Sequence, residues 1–396
     1  MATYEKYDGT VSIFSNSYDT PTGYGQQVKY LADRLKRSGM DVAVLSNYGL
    51  EGTRSTIKTP YGKIAHFPRG MDPYCNDTAP FDHKAFASRY QGQKDLLISL
   101  YDVWVMTAAA YDTVPNIASW VPLDHVTMPP AVKRWLEKPN VTPLAMSPFG
   151  MRQLEENGIK GHYIPHGIET KVYKPTYDLP TGQNVYEYMK TEDKFVVGMV
   201  AANKSSGMVH RKAYSENILA FSIFQKRHPD AILYLHTEPL SRIGWNLVEL
   251  GKACGIPADS MAFPDPLEYR YGIEKEGLAA LYTGMDVMLA PSYGEGFGVP
   301  TIEAQACGTP VIGSDWAATS DLVSDDGWLV DGQPQWDSAQ LAWWRIPNVP
   351  SIVKALEAAY ERGRGRSQAS IDFAKQFDVE TVWQNNWQPY LKSVFG

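Results

Sequence analysis

The chain has 396 residues, 44% of them hydrophobic and 20% charged, with a net charge of −7. That length and apolar fraction suit two or three globular domains with cores of their own, and exclude disorder as the main state. The acidic balance excludes a protein that coats nucleic acid without sequence preference, though not a local basic groove.

No window approaches the roughly 18 uninterrupted apolar residues of a membrane span, so no stable membrane insertion is expected. The opening Met1-Ala2-Thr3-Tyr4-Glu5-Lys6 lacks the basic-then-apolar layout of a signal peptide. Cys75, Cys254 and Cys307 are widely spaced and odd in number, matching neither a disulfide framework nor a zinc motif; the expected setting is the reducing cytoplasm. The eleven Trp and 24 Tyr suit cores, interfaces and sugar-stacking surfaces alike.

Short β-branched runs alternate with helical patterns along the chain, which predicts α/β architecture with parallel sheets. A strand at Val11–Phe14 precedes a helix from about Gln26 to Ser38, with Val28, Leu31 and Leu35 on one stripe. Gly39 stops it and Val42–Leu45 is the next strand, completing a βαβ unit. Further strands are predicted at Ile64–Phe67, Val103–Thr107, Ile117–Trp120, Pro143–Met146 and His162–Ile164. The Pro- and Gly-rich Lys174–Gln183 reads as an interdomain linker.

A second series follows: strand Phe195–Val200, helix Ser215–Arg227, strands Ala231–His236 and Val287–Ala290, helix Pro300–Cys307 and strand Pro310–Gly313. The pattern predicts two doubly wound domains, 1–172 and 185–371. A helical tail at 372–396, with Phe373, Phe377, Trp383 and Trp387 as anchors, is expected to pack back on the first.

The most informative segment is Ala290–Ser314, read as strand, Gly-rich loop, short helix and strand. Gly294, Gly296 and Gly298 permit tight turning and close ligand approach, and Pro300 fits the first helical turn. Amides and the positive dipole end over Val299–Ile302 are expected to form an anion site suited to a diphosphate. Glu295 and Glu303 flank it. Carboxylates beside phosphates suit hydroxyl recognition, and hydroxyls on both sides of a diphosphate describe a sugar nucleotide.

This run resembles the signature of retaining glycosyltransferases of family 4: a Glu, seven residues, then a Glu, in a Gly-Phe-Gly-x-Pro context. Pro165–Glu169 and Asp286–Ser292 extend the resemblance. It implies the GT-B fold, two Rossmann-like doubly wound domains facing each other across a cleft. It also implies a hexosyl transfer from a UDP- or GDP-sugar with no resident cofactor; no Asp-x-Asp ligand pair stands in a suitable loop and Asp325-Asp326 reads as a turn, so no metal is expected.

On the same resemblance Glu295 faces the donor sugar, Glu303 holds the ribose, and the amides of Gly296, Phe297 and Gly298 meet donor hydroxyls or phosphate. Arg211 and Lys212 would neutralise the departing diphosphate; apart from the family they read as a solvated loop. Lys204 stands where the family often has an Arg. Gly23 and Gly25 are either a tight turn before a helix or a glycine edge facing the diphosphate. His125 lies near the donor sugar by resemblance, or is simply oriented by Asp124. His166 is not expected to act in the chemistry. Tyr269 and Tyr271, near where a base would lie, are either a stacking platform for it or ordinary exposed loop aromatics.

The acceptor, whether glycan, lipid, protein or modified nucleobase, is expected to be read by Tyr48–Arg54 and Arg69–Phe81. Lys133, Arg134 and Lys138 form a basic face, as a solvated surface or a docking one. Competing readings are an epimerase or phosphorylase on the same scaffold, or a non-catalytic sugar-nucleotide or glycan-binding module. Oligomeric state is not legible.

Overall fold

A computed structural model of the protein describes residues 4–90, 92–205 and 209–396. Met1, Ala2 and Thr3 of the opening stretch lie outside the described residues. The chain forms two compact units, Met1–Gly167 with Ser338–Ala342 and Val379–Gly396, and Ile168–Asp337 with Trp343–Asp378. Each is Rossmann-like, with helices around a parallel sheet.

In the first unit β1 (Thr10–Asn16) and β2 (Asp41–Tyr48) flank a helix at Gly23–Arg37. Thr22 caps that helix by accepting a bond from the Gly25 amide, and Val28, Leu31 and Leu35 are buried as the stripe predicts. The remaining strands are β3 (Ser55–Thr59), β4 (Gly62–Phe67), β5 (Asp95–Leu100), β6 (Ile117–Val121), β7 (Val141–Ala145) and β8 (His162–Tyr163). The sheet order is β3-β4-β2-β1-β5-β6-β7-β8, and only the β3–β4 pairing is antiparallel.

One strand expectation fails here. Val103–Thr107 is not a strand but opens with a single 3₁₀ turn, Val103–Val105. The sheet's strand is the preceding Asp95-Leu-Leu-Ile-Ser-Leu100, which aligns Ile98 with Ile13. Leucine gives little β propensity of its own, so this strand is set by burial between β1 and β6.

The second unit contains β9 (Phe195–Val200), β10 (Ala231–His236), β11 (Met261–Ala262), β12 (Val287–Ala290), β13 (Val311–Ser314) and β14 (Trp328–Val330). They run parallel in the order β11-β10-β9-β12-β13-β14. A separate two-stranded hairpin, β15 (Gly332–Asp337) and β16 (Ala342–Pro347), follows. Nothing in the sequence pattern predicted it.

The segment expected as an interdomain linker, Lys174–Gln183, belongs to this second unit. Leu179 and Val185 amides close a turn onto Gln183 and Tyr177, and the Thr176 amide donates to the Thr283 hydroxyl. Those bonds hold it against the helix Lys275–Gly284. The Arg362–Arg366 tract is likewise structural: Arg364 and Arg366 approach the buried Asp286 carboxylate at 3.4 and 3.6 Å. The tail is a succession of short helical segments from Gln368 to Phe395, and its part from Val379 belongs to the first unit.

Candidate active site

In an open α/β sheet ligands bind beyond the strand carboxyl ends where the strand order reverses. In the second unit that point lies between β9 and β12. A small cleft opens there, lined by Met199–Ala201, Met288–Ser292, Lys212, Glu295, Gly298, Pro300 and Thr301.

Two loops build it. The loop after β12 runs through Gly294–Gly298 into the helix Val299–Ala306. Gly298 has φ +92°, a left-handed conformation that a side chain would strain, and it turns the chain into the helix. The loop after β9 carries Arg211 and Lys212 into the helix Tyr214–Gln225. The Tyr293 amide donates to the Arg211 carbonyl at 2.8 Å. The Asn217 side chain donates to the carbonyls of Lys212 and Pro291. The two loops are therefore stitched together by backbone carbonyls.

Glu295 sits at the seam. Lys212 Nζ donates to its Oε1 at 2.5 Å, and Arg211 Nη1 approaches its Oε2 at 3.0 Å. Arg211 also donates to the Gly294 carbonyl. Burial alone would push the Glu295 carboxyl up, but the two cations outweigh it and hold the group down to about 2. Glu295 is thus a carboxylate at any neutral pH. Buried His210 next to them is pushed down to about 4 by burial and by the charges of Lys212 and Arg211.

Glu303 is placed differently from the sequence expectation. It does not line that cleft. Its side chain is 3% exposed and accepts the Tyr282 hydroxyl at 2.9 Å, joining helix Val299–Ala306 to helix Lys275–Gly284. Burial pushes its carboxyl up, against hydrogen bonds from Tyr173 and Tyr282 and the Lys275 charge. The amides expected over Val299–Ile302 are also fewer than four. Pro300 has none, and the Thr301 amide already donates to Gly298. Gly296 is buried, and the Phe297 ring packs edge-on to Phe377 at 5.5 Å, so Phe297 brings a backbone rather than a side chain to the loop.

Lys204 is exposed and outside the cleft lining, and so is Tyr271 at 82% exposure. Tyr269 packs against His236. In the first unit Gly23 and Gly25 open the first helix. A Cβ on Gly25 would lie 2.1 Å from the Thr20 carbonyl oxygen, so its glycine is required by the turn itself. His125 is 5% exposed with Nδ1 2.6 Å from Asp124, the orienting pair the sequence suggested. His166 is buried between Tyr24 and Trp120, and burial lowers it to about 3. Lys133 and Lys138 are paired with Glu137 and Asp112, as on a solvated face. Tyr293 and Thr301 were missed: only Thr301's place in the first helical turn after Pro300 could have signalled it.

Doubly wound sheets in two units, with a cation-clasped carboxylate at a switch point, have the layout of the GT-B glycosyltransferases. Residues 262–343, which include the glycine loop and Glu303, match the family model described as Glycosyl transferases group 1. Family 4, read from Glu295 and Glu303, is consistent with that match.

The chain is 29% identical over 196 residues to D-inositol 3-phosphate glycosyltransferase of Segniliparus rotundus, covering 46% of this chain and 41% of that protein. It spans at most about two fifths of the length of these curated relatives. Sucrose-phosphate synthase from Thermosynechococcus elongatus superposes with a TM-score of 0.73 at 17% identity, over 97% of this chain and 99% of the other. Anabaena HepE, solved with UDP and glucose, gives 0.62 at 17% identity, over 97% and 100%. Among the described residues no helix is long and apolar enough to cross a membrane.

Proposed function

We propose that the protein is a retaining glycosyltransferase that moves a hexose from a nucleotide-diphosphate sugar to an acceptor hydroxyl. The observation that carries this reading is the Glu295–Arg211–Lys212 clasp beside the helix Val299–Ala306. The HepE complex with UDP and glucose supports a nucleotide-sugar donor of this kind.

In this reading Glu295, ionised and oriented by two cations, accepts hydrogen bonds from donor-sugar hydroxyls, each contributing about 1.5–3 kcal/mol. Arg211 and Lys212 face the diphosphate, where negative charge grows as the bond from C1 to the phosphate oxygen breaks. The backbone of Gly296–Gly298 approaches the donor without side-chain obstruction at either glycine. The acceptor oxygen attacks C1 from the face the diphosphate leaves, and its proton passes to the departing phosphate oxygen, so configuration is retained. The two fixed cations supply the charge stabilisation that a divalent metal supplies elsewhere. The three free cysteines fit a reducing compartment such as the cytoplasm.

Turnover of a UDP- or GDP-hexose, assayed as nucleotide release with and without acceptor, tests this. Glu295→Ala and Arg211→Ala should each lose about 10²–10³ in kcat, the scale for removing one electrostatic partner of a transition state, with the melting transition still cooperative. Unchanged turnover in both variants would overturn the assignment.

A further inference from the structure

The hairpin β15–β16 stands apart from both large sheets, and an isolated hairpin is marginal in water. This one is fastened to the candidate site. The Arg345 amide donates to the Tyr293 carbonyl at 3.0 Å, on the glycine loop whose Tyr293 amide bonds Arg211. The Trp344 ring lies 6.3 Å from that of Tyr293. The Arg345 guanidinium donates to the Asp315 and Gly332 carbonyls at 2.7 and 3.1 Å and covers Trp316.

What the hairpin shows to solvent is aromatic. The rings of Trp336 and Trp343 meet at 4.9 Å, nearly edge to face, and the two residues are 43% and 41% exposed. Large aromatic area left in water on a braced element marks a binding surface.

Charge decides between occupants. The segment Gly332–Pro347 has one cation, Arg345, and one acid, Asp337. Arg345 is already spent on two carbonyls and a ring, so the hairpin offers a polyanion no counter-charge. Nucleic acid, an anionic lipid surface and a phosphorylated acceptor all need one. Gly332 and Pro334, which share the Trp336 face of β15, add no charge there, and an uncharged face of indole rings fits the C–H faces of a neutral sugar.

We propose that β15–β16 is a saccharide-binding arm, with Trp336 and Trp343 as the platform for a neutral oligosaccharide. Its service as the acceptor holder rests on the transferase reading; the binding itself does not.

Fluorescence titration and calorimetry of the full chain with maltoheptaose, cellohexaose and mannohexaose test it, with a 20-base-pair duplex and anionic phosphatidylglycerol vesicles alongside. At least one neutral oligosaccharide should bind saturably. Trp336→Ala and Trp343→Ala should weaken it tenfold or more, and Trp336→Phe and Trp343→Phe by less than threefold. The shift in melting temperature caused by UDP or GDP should be the same in all four variants, which shows the second unit still folded. No binding by any of the three sugars, binding indifferent to both alanine variants, or Trp-dependent binding of DNA or vesicles instead would overturn the proposal. If sugars bind through the Trp pair while neither UDP nor GDP shifts the wild type, the transferase reading fails and the arm stands.

Discussion

Two carboxylates eight positions apart end in opposite electrostatic situations. Glu295 has two cations within 3.0 Å, and its folded carboxyl lies at about 2 rather than its usual 4.5. A depressed carboxyl contributes stability that is complete above the unfolded value and is lost as pH falls through the folded one. Glu295→Gln should therefore remove a linkage on the order of 3 kcal/mol at pH 7, and flatten the stability curve between about pH 4.5 and 2. Urea melts across that range measure it, and parallel curves for wild type and variant would refute the clasp.

Glu303 is raised, so its contribution runs the other way: stability falls as pH rises above the ordinary Glu range. Glutamine keeps an acceptor for the Tyr282 hydroxyl and removes the buried charge. Glu303→Gln should melt at or above the wild-type temperature at pH 7, with the gain vanishing near pH 4, and should leave UDP or GDP affinity unchanged. A tenfold loss of nucleotide affinity would return Glu303 to the ribose. Sequence spacing brought out both acids and the family resemblance brought out Arg211 and Lys212, but neither showed that these two clasp Glu295 or that Tyr282 holds Glu303. Arg211 and Lys212 lie 84 and 83 positions before Glu295, and Tyr282 lies 21 before Glu303. Which face of a helix a carboxylate takes is decided by such distant groups.

Elements were legible where local chemistry agreed with the sheet. Phe195–Val200 and Ala231–His236 occupy the ranges their apolar runs predicted, and the first helix starts at a capping Thr22 followed by glycines. They were not legible where tertiary packing overrode propensity. β5 has one β-branched residue in six, and β15 contains Pro334, which reads as a breaker rather than a strand. Gly25 is the position where turn geometry and ligand approach compete as explanations. Its added Cβ would collide with the Thr20 carbonyl, so Gly25→Ala must displace the Ser17–Thr22 turn. A loss of about 1–3 kcal/mol in urea unfolding is expected. The cost should appear with no nucleotide present, whereas a purely ligand-facing glycine would change affinity and leave stability alone.

At the scale of the molecule, two similar sheets each offer a switch point, β1 against β5 and β9 against β12. Fold alone does not choose between them. Chemistry does: the second carries the cation-clasped acid beside a helix N-terminus, while the first ends in Asn16, Ser17, Tyr101 and Asp102. A nucleotide diphosphate should therefore bind first to the second unit. Hydrogen exchange with and without UDP or GDP reads this directly, because a ligand that binds only the folded state slows local opening by mass action. Protection is expected over Met199–Ala201, Arg211–Lys212 and Tyr293–Thr301, and should disappear in Arg211→Ala. If it appears instead around Asn16–Gly25 and persists in that variant, the nucleotide belongs to the first sheet and the roles of the two units must be exchanged.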